Sequence, residues 1–465
     1  MKKIICVLLF LSAATVAMTA RPRGTMTYMG KKVFQYRVFL TDKEGSPFTL
    51  KHPEAFLSQR SLERRSRQGI TVDETDLPVS QKYLAALAKM GLKVVGKSKW
   101  HNTAWVQSAT DDVAKRLKGV RFVKDVVRIY ASPDSFRQVS RTALKDSMQT
   151  DSLAKGRYGE AYDQISQLNG IRLHDAGFRG QGKLIAVMDG GFHNADRIKA
   201  LRRVRVLATA DFAPRRVHSV FDDTYHGTMV LSCMAADSPD TMIGTAPDAD
   251  FVLIRTEDGT AETHAEEDSW TMGAEFADSI GADIINASLG YHKFDGDSTS
   301  YRYRDLDGHT AFISQTASML ASKGIVLTNS AGNEGEEVWH KIGVPADASD
   351  ILAVGALNRK GINTWFSSVG PSQDGRVKPD VCAMGGQTTV IDGSGSMTKA
   401  NGTSFASPVM CGMVASLWSA LPNLSAKQII SLVRRSADRY DYPDNVFGYG
   451  IPDFWKAYEM GKGEQ

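Results

Sequence analysis

The sequence predicts an α/β fold, a doubly wound, mostly parallel sheet with helices on both faces, preceded by a small α+β unit. Three observations carry that expectation. After Gly159, short continuous apolar runs alternate with helical stretches, the pattern of strands buried on both faces and joined by crossover helices. Between residues 33 and 131 the segments are shorter and more polar, strands mixed with brief helices, so this part reads as a separate unit. Charge divides in the same region: residues 21–150 carry 25 basic and 12 acidic side chains, and residues 151–465 carry 29 and 40. The net charge of +4 over 465 residues therefore hides two oppositely charged parts. Each finds its complement within the chain, which makes nucleic acid a poor partner for the basic half. With 42% hydrophobic and 23% charged residues the chain can bury a full-sized core, which excludes disordered and fibrous classes.

The first twenty residues, MKKIICVLLFLSAATVAMTA, join Lys2 and Lys3 to an apolar run over 4–11 and then to small residues ending at Ala20. This is the layout of an export signal. The run is shorter than the roughly 20 residues a spanning helix needs, so no stable membrane insertion is expected after signal removal. The expected location is secreted, periplasmic or at the cell surface. Removal of 1–20 leaves Cys233, Cys382 and Cys411, which cannot build a disulfide framework.

Within the small unit, FQYRVFL alternates as a strand, AFLSQRSLERRSRQG reads as a basic helix, and QKYLAALAKMG as a second helix closed by Gly91. LKVVGKSKW and NTAWVQS form a strand pair, DDVAKRLKG is a helix with an acidic start, and VRFVKDVVRIY is a last strand. Residues 132–158 are polar and without periodicity, an exposed linker open to proteolysis. The large unit, 159–465, then supplies the strands KLIAVMD, VRVLATADF, ADFVLIRTED, DIINASLG, IVLTNSAGN and ILAVGALN, with helices between them. In such a sheet a ligand site is expected beyond the carboxyl ends of the strands.

Three chemistry-bearing segments fall at those ends. LIAVMDGGF sets Asp189 after an apolar strand, HGTMVLSCMAA opens a helix at His226, and NGTSFASPVMCGMVASLW puts Ser404 at the start of another. A serine hydroxyl is a weak nucleophile at neutral pH and needs an imidazole to take its proton; the imidazole in turn needs a carboxylate to fix its tautomer. Singly, each residue is equally a helix cap, a surface histidine or a turn serine. Together, in the order Asp, His, Ser, they make one nucleophilic site. Here the sequence resembles the subtilisin-like serine peptidases, the subtilases, through VMDGGF, HGTMV and GTSFASPV.

SAGNEG, at 330–335, adds Asn333, which resembles the family's oxyanion asparagine. The resemblance extends over GTAPDADFVLIR, IINASLG, GVPADASDILAVGALN, FSSVG and KPDVCAMG. It implies a serine endopeptidase acting on polypeptides through an acyl-enzyme, with Ser288, Leu289 and Gly290 pairing with substrate backbone. Ile342 and Gly343 would form the base of the main specificity pocket. It also implies that 21–131 is a prosegment, the chain's own inhibitor and folding aid, with a processing site in 132–158. The charge division supports this independently.

There are departures. Gly190 stands where the family more often has Ser or Thr. ADSPDTMIGTAP is shorter than the family's calcium loop, with only Asp237 and Asp240. Conversely 291–309 is an insertion whose Asp295, Asp297, Asp305 and Asp307 read first as a solvated acidic loop, with oxygens of the kind calcium takes as the alternative. No metal is assigned and no cofactor is required by this chemistry. Cys233 and Cys411, each seven residues beyond His226 or Ser404, are expected as buried thiols beneath the site, and His193 and His264 as structural. A catalytically silent binding protein of the same fold at the cell surface is the rival reading; an esterase or lipase is disfavoured because G-x-S-x-G is absent from this chain and G-T-S-F-A-S-P stands in its place.

Overall fold

The computed structural model describes residues 33–131, 156–239, 241–259, 261–295 and 300–464. The export signal, residues 132–155 of the linker, Asp240 and Asp297 lie outside them. The small unit is an antiparallel sheet of β1 (Phe34–Leu40), β2 (Lys93–Ser98), β3 (Thr103–Ser108) and β4 (Val123–Ala131), in the order β2-β3-β1-β4. Its three helices are α1 (Gln59–Arg67), α2 (Gln81–Lys89) and α3 (Val113–Leu117). Tyr83 and Leu87 of α2 and Val113 and Leu117 of α3 bury one sheet face, meeting Tyr36, Val38 and Val106 in a core of their own. The alternation of FQYRVFL predicts a half-buried strand. The structure buries its other face too, because Arg37 points into the large unit.

The large unit opens with α4 (Tyr162–Ser166) and α5 (Gly170–Asp175). Its strands are β5 (Leu184–Asp189), β6 (Arg205–Asp211), the short hairpin β7 (Asp237–Ser238) and β8 (Met242–Ile243), and then β9 (Asp250–Arg255). There follow β10 (Ile284–Ala287), β11 (Val326–Ser330), β12 (Leu352–Leu357), β13 (Val381–Met384) and the hairpin β14 (Thr388–Ile391) and β15 (Met397–Ala400). Seven of them form one parallel sheet ordered β13-β12-β11-β10-β5-β9-β6. The helices between and after them are α6 (His226–Ala235), α7 (Ala265–Ile280), α8 (Phe312–Met319), α9 (Thr403–Ala420), α10 (Ala426–Ser436) and α11 (Phe454–Gly461).

Every residue of β5 is buried, because a central parallel strand has a core on each side. Ile185 and Val187 pack with Val230 of α6, Val409 of α9 and Leu432 of α10. Leu184, Ala186 and Met188 pack with Trp270 of α7 and Ile313 of α8 on the other face. The chain leaves β5 for the β6–β9 edge and returns through β10 to the opposite edge. The strand order reverses between β5 and β10, and the crevice at their carboxyl ends is where such sheets take ligands.

The small unit sits on α7 and α8, and four of its basic residues, Arg37, Arg64, Arg65 and Lys99, are buried there rather than solvated. Asp278 of α7 receives Arg64 at 2.6 Å, Arg65 at 2.8 Å and Lys99 at 2.9 Å. These cations hold its carboxyl far below the usual range against a burial penalty that alone would raise it. Arg37 bonds both oxygens of Asp268, at 2.9 and 3.0 Å through Nε, and lies over the Phe312 ring. Glu275 caps the turn after β2, accepting from the Lys99 and Trp100 amides at 2.8 and 3.0 Å. At Gly96 a β-carbon would meet Met272 Sδ at 2.6 Å, so the glycine is what lets β2 approach α7.

Candidate active site

Asp189 closes β5 at the reversal point, and its side chain is buried. The Gly190 amide donates to its Oδ1 at 2.8 Å. His226 opens α6, and its Nδ1 lies 3.0 and 2.9 Å from the two Asp189 oxygens. The close approach depends on Gly227: a β-carbon there would stand 2.5 Å from the Gly191 carbonyl, to which the Gly227 amide donates at 3.0 Å. Burial pulls the imidazole pKa down, but the charge and hydrogen bond of Asp189, with a contribution from Glu257, push it up by more, to a net value above the ordinary one.

Ser404 is the second residue of α9, buried but lining the same cavity as His226. Its Oγ donates to the Ser288 carbonyl at 3.4 Å, and the Ser288 hydroxyl donates to the Ser404 carbonyl at 2.8 Å. Pro408 accounts for the second bond. Four residues along the helix, it has no N–H to give the Ser404 carbonyl, and the Ser288 hydroxyl fills that vacancy. Behind it Asn286 donates to Ser288 Oγ at 3.2 Å and accepts from Ser407 at 2.9 Å. The end of β10 is thereby tied to the start of α9.

Asn333, after β11, turns its carbonyl oxygen toward α9, accepting from the Thr403 amide at 2.9 Å and the Thr403 hydroxyl at 3.0 Å. Its amide nitrogen is left for the cavity, a space of about 250 Å³. His226, Ser404 and Asn333 line it, together with Ser288, Leu289, Gly290 and Gly343. The seven line one cavity and Asp189 stands behind His226, so eight of the nine predicted positions meet; Ile342 is buried in the core beside Gly343 and does not line the cavity. An imidazole oriented by a carboxylate, a hydroxyl and an amide donor around one cavity is the equipment of acyl transfer. Sequence reasoning missed Glu257 and Tyr291, which also line it. The signal for Glu257 was its place two residues beyond Arg255, which pairs in register with Asp189.

Cys233, Cys382 and Cys411 are free and buried, and burial pushes the Cys411 thiol up to about 12. His264 pairs with Glu267 at 2.7 Å and packs against Phe294. Asp237 pairs with Arg203 at 3.1 Å. In the insertion Asp295 accepts from the Glu262 amide at 3.0 Å, Asp305 from the Arg302 amide at 2.8 Å, and Asp307 from the amides of His309 and Thr310 at 2.8 and 2.7 Å. Among the described residues no group of three or more His, Cys, Asp or Glu is arranged to hold a metal ion, and no helix is long and apolar enough to cross a membrane.

Comparison with known proteins bears on the same region. Residues 180–450 match the family model of the subtilases, peptidase family S8, which covers more than half of the chain. The chain belongs to the subtilase family. It is a serine-type endopeptidase, and residues 35–146 match the peptidase S8 propeptide domain of Bacteroidota, so it is made as a precursor. The propeptide match runs past the end of β4 into the predicted linker. Subtilisin NAT of Bacillus subtilis subsp. natto is 30% identical over 289 residues, 62% of this chain and 68% of the relative. Subtilisin J of Geobacillus stearothermophilus is 27% identical over 385 residues, 79% and 93% of the two. The crystal structure of the epidermin leader peptide processing serine protease from Staphylococcus aureus is similar in fold, with a TM-score of 0.63 and 18% identity over 92% of this chain and 98% of that one.

Proposed function

We propose that this subtilase cleaves polypeptides outside the cytoplasm with Ser404 as nucleophile, His226 as general base and acid, Asp189 as the carboxylate that orients it, and Asn333 as oxyanion donor. The double contact of His226 Nδ1 with Asp189 carries the reading. It leaves Nε2 for the Ser404 hydroxyl across the shared cavity. Ser404 Oγ attacks the substrate carbonyl as His226 takes its proton, and the oxyanion is met by Asn333 Nδ2 and the Ser404 amide. The tetrahedral intermediate collapses, His226 gives its proton to the leaving amine, and the acyl-enzyme remains. A water activated by the same imidazole then hydrolyses it. Substrate lies extended along Ser288, Leu289 and Gly290, with one side chain over Gly343.

Every step uses side chains and one backbone amide of this chain together with water, so no cofactor is required; calcium, where present, would serve structure. The signal at 1–20 exports the precursor, 21–131 is the prosegment, and self-cleavage within 132–158 releases 159–465 as the catalytic domain. The test is Ser404→Ala, expressed without host proteases. Fluorophosphonate labelling and peptidase activity should both vanish and the precursor should stay uncleaved. Maturation of the pure variant would remove self-processing from the scheme, and an unlabelled wild-type serine would leave a silent binding protein.

A further inference from the structure

Beside His226 the cavity holds a carboxylate that the hydrolytic mechanism does not use. Glu257 follows β9 and accepts from the Tyr291 hydroxyl through Oε1 at 3.1 Å. No described residue donates to its Oε2, and no described Lys or Arg pairs with either oxygen. Oε2 sits over Gly190, where a β-carbon would stand 3.6 Å away. A Ser or Thr there, as the family more often has, would bring a hydroxyl beside Oε2 and beside the Thr224 hydroxyl, which lies 3.3 Å from the same β-carbon position. Glu334 lines the far side of the cavity and is bonded by the Ser368 hydroxyl, again with no cationic partner among the described residues. Among the described residues the basic side chains lining the space are the imidazoles of His226 and His292.

A partly buried carboxylate without a cation is costly unless a charge arrives with the ligand. An extended substrate along Ser288, Leu289 and Gly290 alternates its side chains between two faces. When one residue sits over Gly343, its N-terminal neighbour turns the other way, toward His226 and Glu257. We propose that Glu257 selects a cationic side chain, Lys or Arg, at the substrate residue immediately N-terminal to the one held over Gly343. This rests on the peptidase reading above and deepens it by naming a substrate class.

Glu257 faces Asp189 from the end of β5, His226 from α6, Tyr291 beyond β10, Glu262 from the loop before α7 and Glu266 from α7. Burial first, then the negative charges of Asp189 and Glu262, push its carboxyl up to about 8. Discrimination by charge therefore strengthens as pH rises through that range.

The experiment compares mature enzyme on two fluorogenic peptides identical except for Lys or norleucine at that residue, reading the ratio of their kcat/KM values within each enzyme. Wild type should prefer Lys by about 10-fold or more, as expected when a charged hydrogen-bonding partner is gained. The ratio should rise with pH. In Glu257→Gln it should fall to within about 2-fold of unity and lose its pH dependence. Gly190→Ser, which offers Oε2 a hydroxyl, should lower the ratio in part. A wild-type ratio near one would overturn the proposal and leave the peptidase intact, as would a Lys preference that survives Glu257→Gln. A loss shared equally by both peptides, with the ratio unchanged, would make Glu257 a positioning group for His226 and overturn it too. Cleavage of neither peptide by wild type would overturn the peptidase reading together with this one.

Discussion

His226 and Asn333 are each held by one half of their polar atoms and offer the other half to the cavity. Asn333 has its oxygen fixed by Thr403, so Asn333→Ala removes a donor that matters chiefly once an oxyanion exists. We expect kcat to fall roughly 10²–10³-fold with KM little changed; steady-state kinetics that put the loss in KM would show that the residue only shapes its loop. An imidazole works as a base only when neutral, and Asp189 pushes the His226 pKa above the ordinary histidine value of about 6.5. Since the neutral form is gained as pH rises, kcat/KM should climb through a midpoint above 6.5. Asp189→Asn removes the charge that raises it, so the limb should move to lower pH while kcat drops by about 10⁴-fold. A pH-rate profile unmoved by that change would assign the limb to another group. These residues were legible in the sequence because each lies in a short motif at a strand end or helix start. Glu257 was not, because a lone Glu in a loop has no local pattern; only the register of β9 against β5 brings it to the site.

The same division holds among elements. Continuous apolar runs such as LIAVMD, short and closed by glycines, read as strands with a core on each face, and the parallel sheet follows from the helices between them. What the runs do not carry is the tie between β10 and α9, which depends on a hydroxyl from one filling a hydrogen bond that Pro408 denies the other. Ser288→Ala should leave the buried Ser404 carbonyl without that donor, costing about 1–3 kcal/mol of stability and loosening the start of α9 enough to lower kcat. Adding Pro408→Ala supplies the missing N–H from within the helix. The double variant should recover much of the lost stability, so thermal unfolding of the two single variants and the double should be non-additive. Additive losses would mean that the Ser288 bond and the helix bond do not compete for one carbonyl.

Across the whole molecule the charge division visible in the sequence becomes a specific interface, and its form differs from a diffuse attraction between surfaces. Arg64, Arg65 and Lys99, all from the small unit, converge on Asp278, and each is largely buried there. Composition could not show this, since the helix QRSLERRSR reads as solvated until α7 is placed against it. Two consequences separate in rate. Long-range attraction between a basic and an acidic unit governs encounter and is screened over about 8–10 Å at 0.1–0.15 M salt, so association of the isolated 21–135 segment with mature Ser404→Ala enzyme should slow as salt rises. Dissociation should change little with salt, because the docked pairs are shielded from ions. Asp278→Asn should act the opposite way. It leaves three buried cations short of their shared partner at a cost of about 3–5 kcal/mol, which should weaken binding by on the order of 10²–10³-fold, mainly through faster dissociation. The mature variant should keep its own stability, since the three cations that Asp278 binds leave with the prosegment. Surface plasmon resonance at low and high ionic strength reads both rate constants. Salt-independent association, or a variant that binds as tightly as wild type, would remove electrostatics from prosegment docking and leave the apolar contacts around Trp100 and Met272 to hold it.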